Sequence, residues 1–98
     1  MKEITVGRIV LYRTATTSDA EYDIPAIVTC TSKSHPGDAN DVPSIQGDSI
    51  HLKVHSPCLH IGSFQKWNVA HSGKKYDGIK AEDAKDLHIP LNTWRWPT

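Results

Sequence analysis

Six histidines and two cysteines stand out among the 98 residues as groups able to do chemistry. A metal needs several such ligands within about 2 Å of one ion. His51 and His55 share a face of one strand, but four residues of extended chain separate them by roughly 13 Å. Cys58 and His60 are close enough to share an ion, yet no second pair accompanies them. The histidines therefore read as scattered surface groups, and no metal site is predicted. Neither Cys30 nor Cys58 lies in a signature for a thiol nucleophile. With no apolar leader, both read as free thiols of a cytoplasmic chain. The acids fall mostly in polar segments, where solubility accounts for them. No catalytic residue and no cofactor is assigned, and the chain is read as a non-enzyme.

Ser72-Gly73-Lys74-Lys75 has the outline of the end of a phosphate loop. The full motif requires a glycine five residues before Gly73 and a Ser or Thr after the lysine. Position 68 is Asn and position 75 is Lys, so the motif fails. A basic turn able to touch a phosphate remains.

Aromatic and cationic residues carry more. Trp67, Trp94, Trp96, Tyr12, Tyr22 and Tyr76 form a large set for so small a chain. A base stacked on such a ring gains about 1–3 kcal/mol, and Arg or Lys then holds phosphate. The candidate ligand-binding residues are Arg8, Tyr12, Trp67, His71, Lys74, Arg95 and Trp96. Trp67 or Trp96 would stack on a base. Arg8, Lys74 and Arg95 would neutralise phosphate, and His71 would bond phosphate or ribose. Trp94 and Trp96 share one face of a strand, with Arg95 on the other. At least one of these tryptophans is expected to close the core, and Arg95 is expected at the surface or an interface.

The formal net charge of zero rules out the strongly basic profile of a general nucleic-acid binder, which makes nucleic acid an unlikely partner. The charge is segregated, however. Residues 19–48 hold six acids against Lys33 alone, and residues 49–75 hold Lys53, Lys66, Lys74 and Lys75 with no acid. If the two stretches form different faces, one face is basic. No apolar run reaches the roughly 18 residues of a membrane span, so no membrane partner is expected.

These side chains must be positioned by one small domain covering residues 1–98. Residues 4–13 are rich in β-branched side chains, and Gly7 marks a bulge or bend. Residues 14–23 read as a loop. Residues 24–31 form a second strand with Pro25 near its start, followed by a long loop over 32–48. Residues 49–55 alternate, with Ile50, Leu52 and Val54 on one side and His51, Lys53 and His55 on the other. Residues 63–71 make a fourth strand and 93–96 a fifth, while 80–87 has room for a helical turn or two. The fold class is mostly β: a small five-stranded SH3-like barrel with long loops and little helix.

Four stretches resemble a group of small phage and prophage proteins. They are Val6-Gly7-Arg8-Ile9-Val10-Leu11-Tyr12, Pro25-Ala26-Ile27-Val28, Ile50-His51-Leu52-Lys53-Val54 and Thr93-Trp94-Arg95-Trp96-Pro97. The pattern of the group runs V-G-R-I-V-H-Y, then P-A-I-V, then an alternating strand, then G-T-W-H-W-P. Leu11, Asn92 and Arg95 depart from it, standing where the pattern has His, Gly and His. The resemblance implies a phage setting and a small β-barrel. In that setting, the first expectation is a sponge that sequesters a nucleotide immune signal at the interfaces of a homo-oligomer. The alternative is an SH3-like interaction module that binds and inhibits a host protein.

Overall fold

The structure, a computed structural model, describes residues 3–15, 20–37, 42–56 and 62–97. Five strands appear in chain order: β1 (Ile9–Ala15), β2 (Glu21–Cys30), β3 (Ile50–His55), β4 (Ser63–His71) and β5 (Thr93–Arg95). They close into a barrel in that same order. Every neighbouring pair is antiparallel except β4 and β5, which run parallel.

The alternation seen in the sequence accounts for the core. Val10 and Tyr12, Ile24, Ala26 and Val28, then Ile50, Leu52 and Val54 point inward and are buried together with Val69 and Trp94. Ile4, Tyr22, Phe64 and Trp96 pack against this cluster from the rim. Deleting a fully buried Leu or Ile side chain from such a core costs about 2–5 kcal/mol.

Several boundaries differ from the sequence reading. The first strand begins at Ile9, because Gly7 turns the chain at φ 94°. The Gly7 amide still donates to the Val28 carbonyl at 2.8 Å, so the turn stays fastened to β2. Residues 14–23 are not all loop: β1 runs to Ala15 and β2 starts at Glu21, with Arg13 paired to Asp23 and Thr14 to Tyr22. Pro25 consequently lies inside β2. Val28 N–H points to β1, where it meets the Arg8 carbonyl at 2.9 Å. By alternation, the missing N–H of Pro25 faces β3, whose ladder with β2 begins only at Ala26.

The parallel β4–β5 pair dictates the remaining architecture. Parallel strands cannot be joined by a tight turn and need a crossover of roughly a dozen residues or more. Residues 72–92 supply it. They contain one short 3₁₀ turn at Lys74–Tyr76 and otherwise turns and extended chain. At 80–87 one α-type bond, from the Ala84 amide to the Lys80 carbonyl, and three bonds of the tighter i to i−3 type make turns rather than a regular helix. This crossover straps the outside of the barrel. The Asn92 amide donates to the Arg13 carbonyl and the Gly78 amide to the Trp96 carbonyl. No helix among the described residues is long and apolar enough to cross a membrane.

Candidate functional site

A cleft of about 310 Å³ is lined by Ile4, Asp48, His71, Lys74, Asp77, Trp94 and Trp96. It forms where β4 ends, the crossover begins and β5 leaves the barrel. Trp94 belongs to the core and Trp96 is half-buried. Their rings meet edge to face at 5.5 Å. The Arg8 guanidinium lies over the Trp96 ring at 5.7 Å, which adds a cation beside the cleft.

The polar groups of the cleft divide into held and unheld. His71 Nε2 sits 2.8 Å from Asp77 Oδ1, and the same oxygen accepts the Trp96 amide at 3.0 Å. The His71 ring packs 4.5 Å from that of Trp94. Asp77 therefore fixes both the imidazole and the backbone carrying Trp96. By contrast, Lys74 and Asp48 have no side-chain hydrogen bond or ion pair among the described residues. The Trp94 indole Nε1 is buried without a hydrogen-bond partner among the described residues. An unmet buried donor costs about 1–3 kcal/mol.

The tertiary structure gathers Arg8, His71, Lys74 and Trp96 of the candidate set and disperses the other three. Tyr12 is 1% exposed inside the barrel, and its hydroxyl donates to Asn92 Oδ1 at 2.7 Å. Burial pushes its phenol above the ordinary value. Trp67 is 48% exposed on β4, where one extra residue between Lys66 and Val69 bulges the strand and Asn68 takes φ 52°. It flanks a separate groove of about 210 Å³ with Cys30, Pro36, Val42 and Gln65.

Arg95 corrects the surface expectation most sharply. It faces outward from the barrel, opposite Trp94, yet is 0% exposed because the crossover covers it. Its Nη1 and Nη2 donate to the two Asp23 oxygens at 2.6 and 2.9 Å, and Nε and Nη2 donate to the Ile79 carbonyl. Arg13 lies on the other side of the same carboxylate, with Nε 3.4 Å from Asp23 Oδ1. Its Nη2 reaches the Ala84 and Leu87 carbonyls. Two buried guanidiniums thus share one buried carboxylate beneath the strap.

The histidines are not all at the surface either. His51 faces outward from β3 but is buried beneath the loop before that strand. Its Nδ1 accepts the Asn68 amide at 3.0 Å, which leaves the proton on Nε2 to meet the Pro43 carbonyl at 2.7 Å. Trp67 packs edge-on against it at 4.8 Å. His35 pins the same loop through the Val42 and Pro43 carbonyls. Cys30 is a buried free thiol. Among the described residues no three metal-binding groups meet. Cys58 and His60 lie outside the described residues.

Asp23, Arg13 and Asp77 were missed as partners in the sequence, and Asp48 as a lining residue of the cleft. The Arg13–Asp23 pair rests on the β1–β2 register, which the reading of residues 14–23 as a loop concealed. Asp48 and Lys74 lie in the acidic and basic stretches respectively, yet line one cleft, so the charge segregation does not separate two faces there. The chain matches no protein-family model, no curated protein and no solved structure.

Proposed function

We propose that this is a non-enzymatic, phage-type binding protein that captures a small anionic ligand, a nucleotide, in the cleft beside β5. The observation that carries the reading is the convergence of a half-buried indole, Trp96, with Arg8, Lys74 and His71 around one concave site. Trp96 offers a stacking surface worth about 1–3 kcal/mol per base. Lys74 offers a cation without a carboxylate partner among the described residues, and His71, held by Asp77, presents a fixed ring. In a phage setting such a protein acts as an anti-defence sponge. It sequesters a nucleotide immune signal of the cyclic oligonucleotide or cyclic ADP-ribose type, for which preorganisation suffices and catalysis is unnecessary.

The same reading includes a homo-oligomer. Val6, Ile9 and Ile27 are exposed, and Ile9 stands directly opposite Ile27 across β1 and β2. That apolar stripe is the surface that would join copies. Native mass spectrometry of the protein purified from signal-producing cells tests both parts. A multimer carrying nucleotide mass is expected. A ligand-free monomer that depletes no nucleotide from a lysate ends the reading.

A second reading rests on Trp67 and its groove. An exposed indole beside a shallow groove suits an extended peptide, as in an SH3-like interaction module that inhibits a host protein. Stoichiometric capture of one host protein, abolished by Trp67→Ala and untouched by Lys74→Ala, would favour it.

A further inference from the structure

We infer that each cleft accepts one nucleotide unit bearing a single phosphate, and that Asp48 sets this limit. The inference rests on the nucleotide reading above and narrows it.

Charge balance is the first argument. The cations beside the cleft with no carboxylate partner among the described residues are Lys74 and Arg8, the latter over the Trp96 ring. Against them stand two carboxylates in the lining, Asp48 and Asp77. Asp77 is committed to His71 and the Trp96 amide. Asp48 is exposed and uncommitted among the described residues. The formal charges of these four side chains cancel. A phosphodiester brings one negative charge and a terminal monophosphate up to two. A triphosphate brings about four, and would set them in a cleft that already holds two carboxylates.

Donor chemistry is the second argument. A carboxylate accepts hydrogen bonds and donates none. An uncommitted carboxylate in a nucleotide cleft thus calls for a hydroxyl or amine, which a ribose or an amino base provides. Trp96, Lys74 with Arg8, and Asp48 then match the three parts of one nucleotide: ring, phosphate and donor. Size agrees, since about 310 Å³ lies at the bottom of the roughly 300–1,000 Å³ range of small-ligand sites. A cyclic oligonucleotide carries one phosphate per unit, so it satisfies this rule by placing units in the clefts of different copies. Cyclic ADP-ribose concentrates two phosphates in one linkage and does not.

Calorimetric titration of the full chain with adenosine, AMP and ATP, and with the guanine series, tests this. Wild-type protein should bind the monophosphate about tenfold more tightly than either the nucleoside or the triphosphate. Asp48→Asn removes the charge at constant shape. It should shift the monophosphate-to-triphosphate ratio about fivefold toward the triphosphate. Lys74→Ala should erase the advantage of the monophosphate over the nucleoside. Triphosphate binding tighter than monophosphate in the wild type, or an unchanged ratio in Asp48→Asn, overturns the inference and leaves the nucleotide reading standing. If neither nucleosides nor any of their phosphates bind, the nucleotide reading itself falls.

Discussion

The protein carries two clusters of cations flanking its last strand, and they have opposite fates. Under the crossover, Arg95 forks onto Asp23, Arg13 faces the same carboxylate at 3.4 Å, and the carbonyls of Ile79, Ala84 and Leu87 accept hydrogen bonds from the two guanidiniums. At the cleft, Lys74 and Arg8 have an aromatic ring and solvent around them, with no carboxylate partner among the described residues. Trp94, Arg95 and Trp96 are consecutive, yet Arg95 feeds the first cluster while the two tryptophans line the second. Residue type thus says little about role. What separates the clusters is whether a counter-charge and a cover are supplied. A guanidinium given both becomes a bolt between barrel and strap. A cation given neither stays available to a ligand.

The comparison breaks most readily at Asp23. Replacing it by Asn strands two buried guanidiniums without their counter-charge. A loss of about 3–5 kcal/mol is expected in urea denaturation. Nucleotide affinity of the remaining folded protein should be unchanged. A loss below about 1 kcal/mol would mean that the strap, not the charge, holds this face. The paired change Asp23→Leu with Arg95→Met sharpens the point. It should cost less than Asp23→Leu alone, because one of the two stranded guanidiniums is removed with the carboxylate, but more than Arg95→Met alone, because Arg13 is left without a counter-charge.

The open cluster should answer in the other currency. Lys74→Ala is expected to change stability by no more than about 0.5 kcal/mol. The same change should weaken binding of a monophosphate by about 1.5 kcal/mol or more in calorimetry, the worth of a charged hydrogen bond. If stability falls and binding does not, the two clusters do not differ in kind.

The smallest effect concerns Tyr12. Tyr12→Phe removes the bond to Asn92 and should cost about 0.5–1.5 kcal/mol at neutral pH. Burial raises the folded-state pKa of this phenol, so the unfolded chain ionises first as pH rises. The stabilisation is therefore complete below about pH 10 and is lost on passing through the raised folded value. The variant should lose less stability than wild type on alkaline titration.

Legibility in the sequence followed the range of the interactions. The alternation of Ile50, Leu52 and Val54, the shared face of Trp94 and Trp96, and the bend at Gly7 were all readable, because each follows from residues within a few positions of one another. The inner core of the barrel followed from the same periodicity. The outward-facing residues were not readable in that way. His51 and Arg95 both alternate to the outside of their strands, which locally implies solvent. Both are buried because a distant segment lies over them: the loop at Pro43 in one case and the crossover at Ile79 in the other.

By itself, then, the sequence determined the number of strands and their order along the chain, the inward face of β3, and that two tryptophans share a face at the last strand, but not that Tyr12 belongs to the core. Only the tertiary structure decided which cations are locked and which are open. The parallel pairing of β4 with β5 forces residues 72–92 to travel the length of the barrel, and the path of that crossover covers Arg13 and Arg95 while leaving Lys74 beside Trp96. Strand pairing between residues far apart in the chain leaves no local pattern. The fate of each charge becomes visible only once the barrel closes.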